Sequence, residues 1–165
     1  RPVWGLVVFA KTSKALSRLN EMFRNGLVRK TYRAITRNMP ETAEGRIVSY
    51  ITSTERNNKS YAWTQPRPGA KQAALTYRHI ASSDRYHLLE INLETGRKHQ
   101  IRVQLASIGC PIRGDLKYGD KRSNPDGSIS LQAFRIEFEH PVSHENICVT
   151  APLPDDRLWQ AFNAD

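Results

Sequence analysis

The stretch LQAFRIEFE, residues 131–139, alternates apolar Phe134, Ile136 and Phe138 with charged Arg135, Glu137 and Glu139. Side chains repeat every two residues only in an extended strand, so this segment has one buried face and one wet face. Such a strand belongs to an antiparallel or mixed sheet, because all-parallel sheets are covered on both sides. Val28–Arg37, Gly45–Ser53, Ala74–Ala81 and Tyr86–Leu93 read as further strands, and Ile147–Ala151 as a short one. GLVVFAK, residues 5–11, predicts another buried strand from its adjacent valines and phenylalanine. Helices are few. Thr12 or Ser13 caps one whose face carries Ala15, Leu16, Leu19, Met22 and Phe23, with Gly26 as its stop. Asp155–Asn163 predicts a closing helix that docks through Leu158, Trp159 and Phe162, and Asn57–Gly69 reads as a loop or loose hairpin connection. Strands dominate and the helices are separated. The expected class is α+β, with a mixed, mostly antiparallel sheet.

The chain has 165 residues, the size of one domain spanning 1–165. No apolar run approaches the length of a membrane span, and the short run Val3–Ala10 lacks the cleavage site of a secretory signal. Two cysteines, Cys110 and Cys148, make no disulfide framework, so a reducing, cytoplasmic setting is the simplest reading. His79, His87, His140 and His144 lack metal-ligand spacing; His140 and His144 are separated by Pro141, which breaks a helical pair. No metal and no cofactor are expected. Lys and Arg total 25 against 16 Asp and Glu, a net charge of +9. That excess suits a polyanion, with nucleic acid the first candidate; an inert basic surface is the other reading.

Donors concentrate in LETGRKHQIRVQLASIGCPIRGDLKYG, residues 93–119. A strand ends near Leu93, and Thr95 is placed to cap a helix whose apolar face is Ile101, Leu105 and Ile108, ending at Gly109. Arg97, Lys98, His99 and Gln100 then fall in the first turn, where free N–H groups and the dipole already favour an anion. Cations there oppose the dipole. A helix built only for stability would carry Asp or Glu, so the conflict points to a ligand such as phosphate rather than a solvated basic turn. Arg102 lies beside the apolar face. An inward guanidinium would need a carboxylate partner, whereas a snorkelling one would reach water.

This string resembles the hallmark motif of RluA-type pseudouridine synthases. KTYRAI, residues 30–35, resembles the family's K-x-Y-x-A-hydrophobic motif, and residues 5–35 its strand–helix–strand segment. The resemblance runs from Gly5 to about Pro141. It implies the pseudouridine synthase fold with a central cleft, and an enzyme that isomerises specific uridines in structured ribosomal or transfer RNA without metal or cofactor. It implies a monomer, a target base stacked on Tyr32, whose hydroxyl helps remove the C5 proton, and Arg102 paired with the catalytic aspartate. Arg97, Lys98, His99 and Gln100 would serve the RNA backbone and local structure.

The family's aspartate sits in a motif close to H-R-L-D-R-x-T-S-G. Aligning its glycine with Gly5 puts Arg1 directly after that aspartate, so an upstream part of the domain is expected to precede this sequence. Val3, Trp4, Lys98 and Gln104 depart from the family's usual Thr, Ser, Thr or Ser, and His. Two other functions stay open at this point. One is an RNA-binding module without chemistry. The other is a glycosidase-like or nuclease enzyme using Glu90 and Glu94 as paired carboxylates.

Overall fold

The computed structural model describes residues 2–162. In chain order the elements are β1 (Trp4–Gly5), α1 (Ser13–Arg24), β2 (Arg29–Thr36), β3 (Glu44–Thr54), β4 (Lys59–Trp63), β5 (Lys71–Ser82) and β6 (His87–Leu93). Then follow α2 (Gln100–Ser107), a 3₁₀ turn (Leu116–Tyr118), β7 (Leu131–Glu139), β8 (Asn146–Thr150) and α3 (Arg157–Ala161). One sheet runs β1-β7-β2-β6-β5-β3-β4, with β8 also on β7. Among the described residues only the β1–β7 pairing is parallel. The α+β class and the mixed, mostly antiparallel sheet are as expected.

The sheet buries both faces unequally. On the inner face Ala34, Ile47, Leu75, Leu89, Ile91 and Leu131 pack against Ile101 and Leu105 of α2, with Ile112 and Ile129. Burying each of the α2 side chains contributes roughly 1.5–3 kcal/mol. On the outer face Ile35 and Leu88 receive Trp159 and Phe162, so the closing helix docks as its spacing predicts. Asp156 caps α3, accepting from the Leu158 and Trp159 N–H groups at 2.9 and 3.3 Å. Asn163, the expected last residue of that helix, lies outside the described residues.

The run 5–11 is not a buried strand. Trp4 and Gly5 pair with Gln132 and Ala133, and the Leu6 N–H reaches the Ala133 carbonyl at 3.0 Å. Beyond that point the same edge of β7 is occupied by β8, from Arg135 to Glu139. Deprived of a backbone partner, the segment leaves the sheet, and Val7 and Phe9 stand 71% and 84% exposed. Gly5 adopts φ +109°, and a Cβ there would lie 2.2 Å from the Ala133 carbonyl oxygen. Glycine alone permits that approach.

Thr12 is the cap of α1, its hydroxyl accepting the Ala15 N–H at 3.0 Å, and Gly26 follows at φ +69°. The apolar stripe of α1 exists, yet none of its residues is fully buried. Within Asn57–Gly69 the structure forms strand β4, paired with Tyr50–Thr54. Its sequence, KSYAW, lacks an apolar alternation; pairing with β3 and the covering helix α2 make it a strand.

Candidate active site

The loop between β6 and α2 is built around one buried amide. Gln100 is 3% exposed. Its Oε1 accepts the Thr95 hydroxyl at 2.7 Å and the Arg97 N–H at 2.9 Å, while Nε2 donates to the Ala74 carbonyl at 3.0 Å. Thr95 is therefore not a helix cap; its hydroxyl also accepts the Ala74 N–H at 3.0 Å. The helix starts one turn later than its pattern predicts, at Gln100, behind His99 in the left-handed region at φ 56°. Arg97 and Lys98 lie ahead of it, exposed, and Arg97 Nε donates to the Gln72 carbonyl at 3.0 Å.

Arg102 does point inward. Its Nε and Nη2 donate to the two oxygens of Asp115 at 2.7 and 2.8 Å. Asp115 is fully buried and Arg102 is 9% exposed. The carboxylate that a buried guanidinium requires thus comes from GDLKYG, thirteen positions along the chain. The motif alone gives no sign of that pairing. Arg102 Nη1 has no hydrogen bond among the described residues.

Tyr118 packs beside this pair, its ring centroid 4.8 Å from the guanidinium carbon. Its hydroxyl accepts the Ser60 N–H at 2.9 Å and meets His99 Nδ1 at 2.6 Å. Burial first, then the charges of Arg102, Lys117 and Lys98, push His99 down to about 4, against a smaller opposite pull from Asp115. His99 is neutral at pH 7, and Ser60 also fixes the loop by donating to the Lys98 carbonyl at 2.6 Å.

Tyr32 stands on β2 between Ile91 and Ala133, on the same inner face as Ala34 and α2. It lines a cavity of about 300 Å³ with Leu6, Val8, Leu19, Phe23 and Lys30. A second cavity, lined by Leu93–Gly96, shares Asn20, Phe23 and Lys30 with the first. Together they form one groove across β2, from α1 to the loop that carries Arg97. Burial pushes the Tyr32 phenol up and the Lys30 ammonium down. Lys30 Nζ sits 4.5 Å from the centroid of the Phe23 ring.

The carboxylates Glu90 and Glu94 do not converge. Glu90 lies 3.9 Å from Arg33 and 3.6 Å from Arg78, and Glu94 accepts Arg46 Nε at 2.8 Å. Each is held by arginines, which removes the basis for a paired-carboxylate enzyme. Among the described residues no group of His, Cys, Asp and Glu is arranged to hold a metal ion.

Tyr32 and the Arg102–Asp115 pair thus lie on one sheet face, and comparison with known proteins gives the class to which the fold belongs. Residues 1–107 match the family model for RNA pseudouridylate synthase. The chain belongs to the RluA-type family of RNA pseudouridine synthases. It is 36% identical to the uncharacterized RNA pseudouridine synthase YhcT of Bacillus subtilis, over 92% of this chain and 50% of that one. It is 31% identical to tRNA pseudouridine synthase C of Vibrio cholerae, over 98% and 72% respectively. The fold is that of human RNA pseudouridylate synthase domain containing 1, with a TM-score of 0.73 at 23% identity, covering 92% of this chain and 65% of that one. The chain spans about half the length of YhcT and of a second RNA pseudouridine synthase, from Chlorobaculum parvum.

Proposed function

We propose that residues 1–165 are catalytic domain of an enzyme that converts uridine to pseudouridine in structured RNA, transfer or ribosomal. The observation that carries this reading is the buried Arg102–Asp115 pair on the face that also presents Tyr32. Asp115 spends two donors of Arg102 and leaves Nη1 for a second carboxylate, the nucleophile that the resemblance puts just before Arg1. The start of the described chain runs beside the segment that leads to Asp115. The Pro2 carbonyl accepts the Ile129 N–H at 3.2 Å, Ser130 N–H donates to Arg113, and Asp115 follows two residues later.

The reaction is an isomerisation. The N1–C1′ bond breaks, the base turns, C5 bonds to C1′, the C5 proton leaves and N1 takes one up. No electron acceptor or added group is needed, in line with a site built from Tyr32, Arg102 and an aspartate alone. Arg102 keeps the aspartate ionised and aimed. Tyr32 offers a stacking face, and its phenol is protonated at neutral pH, so a base role requires the occupied site to bring that phenol down. The target base must leave its stack to enter the groove. Exposed Arg97 and Lys98 meet its phosphates, while His99 and Gln100 hold the loop in shape. We propose a monomer acting in the cytoplasm; among the described residues no helix is long and apolar enough to cross a membrane.

The test uses the full natural polypeptide and transfer or ribosomal RNA carrying tritium at uridine C5, taken from cells lacking the gene. Tritium should be released by the native protein. No release from either RNA pool would overturn the reading.

A further inference from the structure

We propose that the outer face of β3 and β4 is a second RNA-binding surface, a stacking platform for unpaired nucleotides of the same RNA beyond the target uridine. This rests on the RNA-modifying reading above.

Strand alternation sets the face. Ile51 and Ala62 point inward to Val103 and Ala106 of α2, so their neighbours Tyr50, Thr52, Tyr61 and Trp63 point the other way. Tyr50 is directly opposite Trp63, and Thr52 opposite Tyr61. Three aromatic rings thus share one patch, and Trp63 is 39% exposed. Their orientations are fixed from within the strand pair. Trp63 Nε1 donates to the Thr52 hydroxyl at 2.9 Å, and Asn57 Nδ2 to the Tyr61 oxygen at 3.0 Å.

The charges that lie against these rings are cations. The Arg67 guanidinium lies 3.6 Å from the Trp63 ring centroid, and Lys59 Nζ lies 5.5 Å from that of Tyr61. Arg56, Lys59 and Arg67 form no ion pair among the described residues. By contrast Arg33, Arg46 and Arg78, elsewhere on the sheet, all meet a glutamate. Flat rings beside unneutralised cations fit the chemistry of a single strand, whose bases stack while its phosphates take the charges.

The patch also reaches the site. Lys59 Nζ is 5.7 Å from the ring centroid of Tyr118, whose hydroxyl holds His99. Lys117 Nζ, on the same turn, donates to the Asn57 and Asn58 carbonyls at 3.2 and 2.9 Å. A strand leaving the loop of Lys98 and His99 would therefore pass Lys59 on its way to Tyr61 and Trp63.

The experiment measures affinity for a fluorescent oligo(A) of about a dozen nucleotides, a length several stacked bases can use. Trp63→Ala combined with Tyr61→Ala should weaken binding roughly 5- to 150-fold for each base that stacks. Trp63→Phe should retain most of the affinity. Lys59→Glu with Arg67→Glu gives an independent loss if the alanine variant unfolds. Unchanged affinity in these variants, or equal loss for a blunt RNA duplex, would overturn the platform. If the protein forms pseudouridine yet the variants bind as the native protein does, this inference fails alone. If the variants lose oligo(A) and the native protein releases no tritium, the activity reading fails and the platform stands.

Discussion

Asp115→Asn is the most informative single change. Asp115 is fully buried, Arg102 is 9% exposed, and two charge-assisted hydrogen bonds join them. The amide is nearly isosteric, so no cavity forms. It keeps one acceptor and turns an N–H group toward an arginine donor, leaving the buried guanidinium uncompensated. Breaking such a pair from one side costs about 3–5 kcal/mol. Against a total stability of about 5–15 kcal/mol this is a large fraction. For a chain of this size the unfolding midpoint should fall by roughly 6–20 °C. Urea and thermal denaturation followed by circular dichroism measure it. Arg102→Met with Asp115→Leu removes both charges at similar volume, and should be neutral or more stable. That double variant then isolates chemistry from folding: it should stay folded, bind RNA and release no tritium. A cost below about 1 kcal/mol for Asp115→Asn would refute the claim that the pair is a desolvated clamp. Normal turnover by the double variant would remove Arg102 from the reaction.

Two further changes probe the groove and the loop. Tyr32→Phe keeps the stacking ring and loses the hydroxyl, so turnover at saturating RNA should fall while RNA affinity holds; unchanged turnover would exclude the hydroxyl from proton transfer. His99 is held neutral in the fold by burial and by Arg102, Lys117 and Lys98, with Asp115 and the Tyr118 hydroxyl as its other neighbours. Its folded value, about 4, lies below the ordinary 6.5, so its contribution is complete above pH 6.5 and is lost as pH falls toward 4. His99→Asn, a residue that accepts the left-handed backbone, should flatten stability across that window; identical slopes in native and variant protein would contradict the assignment.

Most of the sheet is legible along the chain, and the exceptions share a cause. Leu131–Glu139 declares itself a strand through its alternation, although of its three apolar positions only Ile136 is buried and Arg135 and Glu137 are half-buried, and α1 declares itself because Thr12, its apolar stripe and Gly26 are all local signals. The run 5–11 is as apolar as a buried strand, but whether it pairs depends on β8 having taken the edge of β7. Strand β4 becomes visible only through Tyr50–Thr54. At the site, the motif singles out Tyr32 and Arg102. The partner Asp115 does not show, because it arrives through the turn after α2. Gln100 reads as a donor for RNA, yet Thr95, Arg97 and Ala74 take three of its amide's four hydrogen-bonding places. Periodicity reports which face is buried; it does not report which neighbour fills it.

The position of β7 between β1 and β2 has a consequence for synthesis. About 95 residues separate the end of β2 from the start of β7. At the usual pace of a ribosome that gap lasts roughly 5–20 s. Throughout it β1 has no strand to pair with, and β2 has both edges free until His87–Leu93 emerges and one free after that. Val7 and Phe9, exposed in the folded chain, leave the ribosome more than a hundred residues ahead of Leu131–Glu139, so an apolar segment is presented before the strand that pairs with β1 exists. Chaperone capture at Trp4–Gly5 and Arg29–Thr36 should therefore persist until Leu131–Glu139 emerges and pairs with both.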